Sequence, residues 1–215
     1  DSTADLNVVV TQRLDDEYIR GIGEVPSSWP IEALRAQTVA ARSYALATVI
    51  GINSSSSSIT VAGFPRKVRP SCKCQVLDDT SDQNYVGFAK EYATQGNRWV
   101  DAVDATAPGG VGTVVTYGST VVKTFFAAST GGRTQAVRDV WGSTSMPWLA
   151  SVDDHWSLDA PNPDAAWVDS ISQSSLVANL NSALASAYTR AIGAGLTCSK
   201  VAFADVATAS VLSRY

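Results

Sequence analysis

Glu24 stands beside Gly23, just ahead of an alanine-rich run, in the string YIRGIGEVPSSWPIEALRAQTVAARSY that spans Tyr18 to Tyr44. Almost every other position there has a structural task, and a carboxylate without one is a candidate proton donor and acceptor. A solvated loop acid or a cap on the following helix is the plainer alternative. Arg42, set among alanines, needs an anionic or carbonyl partner if it is buried. That partner could be Glu24, another core acid or a bound ligand, so a structural clamp and a place beside a substrate both remain open. Further along, Ser129-Thr130-Gly131-Gly132-Arg133-Thr134 follows a β-rich run. Its paired glycines permit positive φ and let backbone N–H groups approach a ligand; a mere turn is the competing reading. Tyr85 and Trp141 offer flat apolar surface, or are core aromatics.

The elements that would position these residues are legible. Leu14, Tyr18, Ile19 and Ile22 suggest one or two helical turns stopped by Gly21 and Gly23, which leaves Glu24 in a connection. Pro30 suits a helix start, so a helix is expected from near Trp29 to about Ile50. Its stripe of Ile31, Leu34, Thr38, Ala41 and Ala45, with small apolar residues around the rest, predicts a central helix covered on most sides. Gly112–Tyr117 and Thr120–Ala128 read as a hairpin split at Gly118-Ser119. Residues 1–10 suggest an opening strand through Leu6, Val8 and Val10, and Lys90 to Asp104 a short helix. The low-complexity stretch Asn53 through Ser58 and the cysteine-containing segment after it read as loop. Leu176, Leu180, Leu184 and Tyr188 have helical spacing, with Ser174-Ser175 as caps, and Val201, Phe203 and Val206 suggest a last strand. The expected class is α+β: a mostly antiparallel sheet, a central alanine-rich helix and an extended substrate groove. Residues 1–157 form the main domain, and residues 158–215 a C-terminal helical and strand segment packed on it.

The Tyr18–Ala45 string resembles the signature of the stage II sporulation protein D / LytB family. The matching parts are Tyr18 to Gly21, Glu24 to Pro26, Trp29-Pro30 and Glu32 through Ala45, with Val25 and Ser43 replacing the usual Met and Thr. Three further blocks follow in the family's order: Asp79-Thr80 with Gln83 and Tyr85; Phe126 with Ser129 to Thr134; and Asp139-Val140-Trp141-Gly142 leading to Trp148-Leu149 and Val152-Asp153-Asp154. The resemblance covers roughly residues 12 to 157, about two thirds of the chain. It implies a peptidoglycan lytic transglycosylase, which cuts the glycosidic bond after N-acetylmuramic acid and leaves a 1,6-anhydro ring. Such chemistry needs one carboxylic acid where ordinary glycosidases use two, because the sugar's own C6 hydroxyl attacks the anomeric carbon. The resemblance gives Glu24 that role and puts Arg42, Tyr85, Ser129, Gly131, Gly132 and Arg133 at the glycan. Its LytB side permits a second function, a non-catalytic wall-binding module or amidase enhancer, with a cell-wall amidase as partner.

Composition narrows the field. With 215 residues, 45% of them apolar and 17% charged, the chain can build one sizeable core. A net charge of −4 argues against nucleic acid as a partner. The basic cluster Arg66, Lys67, Arg69 and Lys73 reads as a solvated loop. No stretch is long enough for a transmembrane span, and the absence of an initiator Met leaves room for a removed targeting segment. A secreted or extracytoplasmic, wall-associated bacterial protein is the expectation. Among three cysteines, pairing of Cys198 with Cys72 or Cys74 is preferred over a tight Cys72–Cys74 bridge. Some relatives hold zinc near the Asp-Thr…Gln-x-Tyr block, but Ser81-Asp82-Gln83 brings no His or Cys, so no metal and no other cofactor is expected. The single histidine, His155, makes a Ser-His-Asp hydrolase built from Ser129 and Asp153 or Asp154 a poor fit, because no Gly-x-Ser-x-Gly elbow is present.

Overall fold

The structure, a computed structural model, describes residues 8–52, 57–142, 146–159, 162–165, 170–195, 197, 199–200 and 202. The chain divides into two units, residues 1–159 and 160–215. In the first, short helical turns at Leu14–Tyr18 and Ile19–Gly21 lead through a connection to α1, Ile31–Ile52. The Leu34 N–H donates to the Pro30 carbonyl at 3.1 Å, so a residue with no N–H of its own opens the helix.

Helix α1 is the centre of the unit, as its composition requires. Leu34, Ala41 and Ala45 are buried with Tyr18, Ile19, Ile22 and Val25. Two further helices follow, α2 at Ala89–Tyr92 and α3 at Gly96–Ala105, where a short helix is expected from sequence within Lys90 to Asp104. The break comes at Gln95, whose φ is +62°, and at Gly96, where a Cβ would lie 2.2 Å from the Glu91 carbonyl oxygen. Only glycine allows that approach. Helix α3 delivers Trp99, Ala102 and Val103 to the core. Trp99 is fully buried, and its indole N–H donates to the carbonyls of Ile19 at 3.0 Å and Arg20 at 3.1 Å. Truncating such a residue to alanine costs about 3–5 kcal/mol.

The class is α+β with antiparallel pairing, delivered as three separate two-stranded sheets. Strands β1, Ser58–Val61, and β2, Phe64–Lys67, form a hairpin in a region read from sequence as loop. Ala62 and Gly63, both at positive φ, make its two-residue turn. Strands β3, Thr116–Tyr117, and β4, Thr120–Val121, flank Gly118-Ser119 as expected, although the ladder is shorter than the β-rich runs around it. Strand β5, Gly132–Arg133, pairs with β6, Asp153–Asp154, on either side of helix α4, Val137–Trp141. The expected opening strand is not formed where it is described: Val8 to Val10 are exposed and outside any strand, and Leu6 lies outside the described residues.

In the second unit, α5 spans Gln173–Gly193. Its cap is Ser172, whose hydroxyl accepts from the Ser175 N–H at 3.1 Å, two residues before the expected Ser174-Ser175. Leu176, Leu180, Leu184 and Tyr188 are half-buried. Val201, Phe203 and Val206, the expected last strand, fall outside the described residues.

Candidate functional site

The connection bearing Glu24 is braced from two directions. Along one edge it zips onto residues 84–87. The Gly23 N–H donates to the Asn84 carbonyl at 2.8 Å, the N–H groups of Val86 and Gly87 donate to the Gly21 carbonyl at 2.9 and 3.2 Å, and Ile22 and Tyr85 form an antiparallel bridge. On the helical side, the buried Lys90 ammonium donates to the Val25 carbonyl, and Arg98 donates to the carbonyls of Ser28 at 3.0 Å and Trp29 at 2.9 Å. Ile22 and Val25 are buried to either side of Glu24, while Trp29 is partly exposed. Glu24 itself is half-buried, and its Oε1 accepts the Asn84 N–H at 2.8 Å. Among the described residues no donor engages Oε2.

A second acid lies two residues from Asn84. The Asp82 side chain is only 1% exposed. Arg69 grips both of its oxygens, at 2.8 and 2.7 Å, and the Leu77 N–H donates to it at 2.8 Å. The Tyr44 hydroxyl, from α1, donates to it at 3.4 Å. Burial and then the Asp82 charge push the Tyr44 phenol up to about 12, and the same two causes, in that order, push the Tyr18 phenol higher still. The Glu24 charge adds to both shifts, which places its carboxylate within electrostatic reach of the two tyrosines. Lys123 lies over the Tyr44 ring, 4.2 Å from its centroid, and burial holds its ammonium below the usual lysine range against the pull of Asp82. Glu24, Asp82, Tyr44, Arg69 and Lys123 are thus one neighbourhood. Only Glu24 of these is a site residue by the sequence reading. Tyr44 lies in the family-like string and Asp82 in its second block, so a signal existed, but nothing in the sequence joins them.

Arg42 goes elsewhere. It is 1% exposed and has no link to Glu24. Its Nε donates to Asp15, Nη1 to the Thr113 carbonyl at 3.0 Å and Nη2 to the Thr106 hydroxyl at 3.3 Å. Gly112 packs so closely on it that a Cβ there would lie 2.5 Å from Nε. Of the two roles open from sequence, this geometry is that of a clamp tying α1 to the first turn and to the segment after α3. Tyr85 is half-buried: it stacks on Tyr18 with centroids 5.5 Å apart and planes 3° off parallel, and its hydroxyl accepts from Gln12.

Ser129 to Arg133 form a separate cluster with residues 151–157. The Gly132 N–H donates to the Ser157 hydroxyl at 2.8 Å, the Thr130 hydroxyl donates to Asp154 at 2.6 Å, and Arg133 Nε donates to the Ser151 hydroxyl at 2.9 Å. Gly131 and Gly132 have φ of +70° and +96°, so the glycines do serve the backbone. The Gly132 N–H, however, is turned onto protein. His155 is exposed, bonded to Asp153 at 2.9 Å, and this bond holds the Asp153 carboxyl below its usual range.

Glu24 lines neither of two surface concavities formed among the described residues. One, of about 520 Å³, is lined by Gln12, Arg13, Arg20, Tyr85 and Glu91 among others. The other, of about 310 Å³, runs between α4 and residues 146–151. The loop near Asp82 does not fit zinc. Cys72 and Cys74 are joined in a disulfide, correcting the expected pairing with Cys198, which lies outside the described residues. Asp82 is already saturated by Arg69, Leu77 and Tyr44.

Comparison with known proteins shows the family. The profile of the stage II sporulation protein family (SpoIID) matches residues 3–117, which include Glu24, α1 and Asp82 and end before Ser129. The chain is 31% identical over 153 residues to the amidase enhancer of Bacillus subtilis (strain 168), covering 71% of this chain and 16% of that protein. It is 27% identical over 156 residues to stage II sporulation protein D of the same organism, covering 68% and 40%. An uncharacterised protein of Brachyspira hyodysenteriae is 29% identical over 150 residues, covering 69% and 34%. The chain therefore spans well under half the length of each of these relatives. With more than half of its residues matched by one profile, the chain belongs to the stage II sporulation protein (SpoIID) family.

Proposed function

We propose that this chain acts on the bacterial cell wall, outside the cytoplasm, as a peptidoglycan lytic transglycosylase with Glu24 as its single acid and base. The observation that carries the reading is the state of that carboxylate. It is half-buried on a doubly braced connection, with one oxygen fixed by the Asn84 N–H and the other open. The protonated carboxyl gives its proton to the oxygen linking N-acetylmuramic acid to the next N-acetylglucosamine, and that bond breaks. The C6 hydroxyl closes onto the anomeric carbon, and its proton returns to Glu24. Atoms balance without water, so no second carboxylate is needed to activate one. Fixing one oxygen and leaving the other free suits a group that must reach a bridging oxygen without searching rotamers. The membership of the family and the likeness to its B. subtilis namesake support the reading.

The test is product analysis. Purified glycan strands incubated with the protein should yield 1,6-anhydro ends by mass spectrometry, and Glu24→Gln should abolish them while leaving the fold intact. Equal release by both proteins would remove Glu24 from the mechanism. A second reading, a non-catalytic wall-binding module that stimulates an amidase, is favoured by the 31% identity to the amidase enhancer of B. subtilis. Binding to sacculi without glycan products, together with faster turnover of a cell-wall amidase, would decide for it.

A further inference from the structure

An unexplained line of aromatic rings leaves the Glu24 neighbourhood. Tyr44, bonded to Asp82, meets Phe125 edge-on with centroids 6.0 Å apart, and Phe125 meets Trp141 at 4.7 Å. Burial falls steadily along the line: Tyr44 is 6% exposed, Phe125 40% and Trp141 61%. Lys123 lies over the first two rings, 4.2 Å from the Tyr44 centroid and 5.8 Å from that of Phe125. Its backbone carbonyl accepts the Trp148 indole N–H at 3.3 Å, which fixes the segment after β4 that carries it. No ion pair holds its ammonium among the described residues. Rings as exposed as Phe125 and Trp141 contribute little to the core. An ammonium parked on such rings, and partly stripped of water, is a cation short of an anion.

We infer that Phe125 and Trp141 form a sugar-stacking subsite, with the buried Tyr44 beneath it as the seat of Lys123, and that Lys123 pairs there with a carboxylate on the glycan, the lactyl carboxylate of an N-acetylmuramoyl residue. This rests on the reading of Glu24 as the cleaving acid. It names Lys123 as the residue that separates an acidic amino-sugar strand from a neutral one. Ring faces take the apolar faces of successive pyranoses without regard to charge. The ammonium discriminates, because a carboxylate placed beside a partly desolvated cation gains a charge-assisted bond that a neutral sugar cannot make. The geometry favours a carboxylate over a phosphate-bearing polymer, since one cation is available and the rings demand flat neighbours.

The test compares three ligands by calorimetry: peptide-free glycan strands, the same strands with their lactyl carboxylates converted to amides, and neutral chitooligosaccharides. The full chain should bind the acidic strands about tenfold tighter than the amidated ones, the equivalent of one charge-assisted bond. Lys123→Gln should erase that ratio while leaving affinity for the neutral ligands unchanged. Trp141→Ala, a change at an exposed position, should weaken all three about three- to tenfold. A ratio that survives Lys123→Gln, unchanged binding by Trp141→Ala, or no binding of any ligand would each overturn the subsite. The cleavage reading fails separately. If anhydro ends never form yet the ratio behaves as stated, the subsite stands and cleavage falls; if anhydro ends form and the ratio survives Lys123→Gln, cleavage stands and the subsite falls.

Discussion

The Asn84 N–H donates to Oε1 of Glu24 at 2.8 Å, across sixty residues of chain. This bond ties the candidate acid to the loop whose Asp82, two residues earlier, receives Tyr44 and Arg69. Helix α1 thus reaches Glu24 twice: through the connection that precedes it, and through Tyr44, Asp82 and Asn84. The acid is positioned by backbone on one side and by a buried charge on the other, and neither depends on a ligand.

Gly21 is the weak point of that arrangement. A Cβ there would lie 2.2 Å from Cε2 of Tyr85 and 2.9 Å from the Gly87 Cα, and the latter is backbone that cannot swing aside. Gly21→Ala should therefore part the edge between residues 21–24 and 84–87. Overpacking of this kind costs about 1–3 kcal/mol, read from urea unfolding. Release of anhydro ends should fall more than stability does, because Asn84 moves with the edge. Activity that tracks the folded fraction alone would contradict this.

Arg42 should behave as a core residue. Arg42→Ala leaves Asp15 and the Thr113 carbonyl without their partner, and breaking a buried pair in this way costs about 3–5 kcal/mol. The lower end is expected, since Asp15 is 28% exposed and can be rehydrated. Arg42→Lys should recover little, because one ammonium cannot span Asp15, Thr106 and Thr113 as the guanidinium fork does. A variant with unchanged unfolding midpoint and lost activity would instead put Arg42 beside the substrate.

Much of this fold was readable because single residues forced it. Pro30 ahead of an apolar stripe at helical spacing, with alanines around much of the rest, points to a buried helix at α1, and Gly118-Ser119 between β-rich runs is a turn. The β1–β2 hairpin was hidden because Pro65 in one strand argues against a ladder and a serine run precedes the other. For Arg42 the sequence demanded a partner without naming one; three kinds of group qualified, and Asp15 was found only through tertiary packing. Asp82 and Lys123 were illegible for a related reason. An acid in a Ser-Asp-Gln loop reads as solvated until Arg69 buries it, and a lysine within a strand reads as exposed until Tyr44 passes beneath it. Local pattern reports burial well for apolar residues and poorly for charges, whose burial is decided by a distant counterpart.

The disulfide gives a chemical check on the loop that carries Arg69. Non-reducing peptide mapping should find Cys72 linked to Cys74, and a link from Cys198 to either would contradict the structure. So short a loop contributes little chain entropy, so a Cys72→Ser, Cys74→Ser variant should lose only about 1–2 kcal/mol by urea unfolding. The Arg69 N–H bonds to the Cys74 carbonyl at 2.9 Å and the Lys73 N–H to the Arg69 carbonyl at 2.9 Å, so backbone still holds the turn once the sulfurs part.

Alkaline titration tests the Tyr44–Asp82 contact. The folded protein holds the Tyr44 phenol up to about 12 through burial and the Asp82 charge, whereas in the unfolded chain it ionises near its ordinary value of about 10. Between those two values the folded state binds more protons than the unfolded one, so stability must fall as pH rises. The contribution is complete below the unfolded value and gone above the folded one. Denaturation midpoints measured across that window should decline steeply in the native sequence and less steeply in Tyr44→Phe, which has no phenol to ionise. Asp82→Asn should lower the apparent phenol value seen by absorbance, because the opposing negative charge is gone. If Tyr44→Phe leaves the slope of stability against pH unchanged, the hydroxyl faces solvent in the folded protein and the bridge from α1 to the Glu24 loop does not exist.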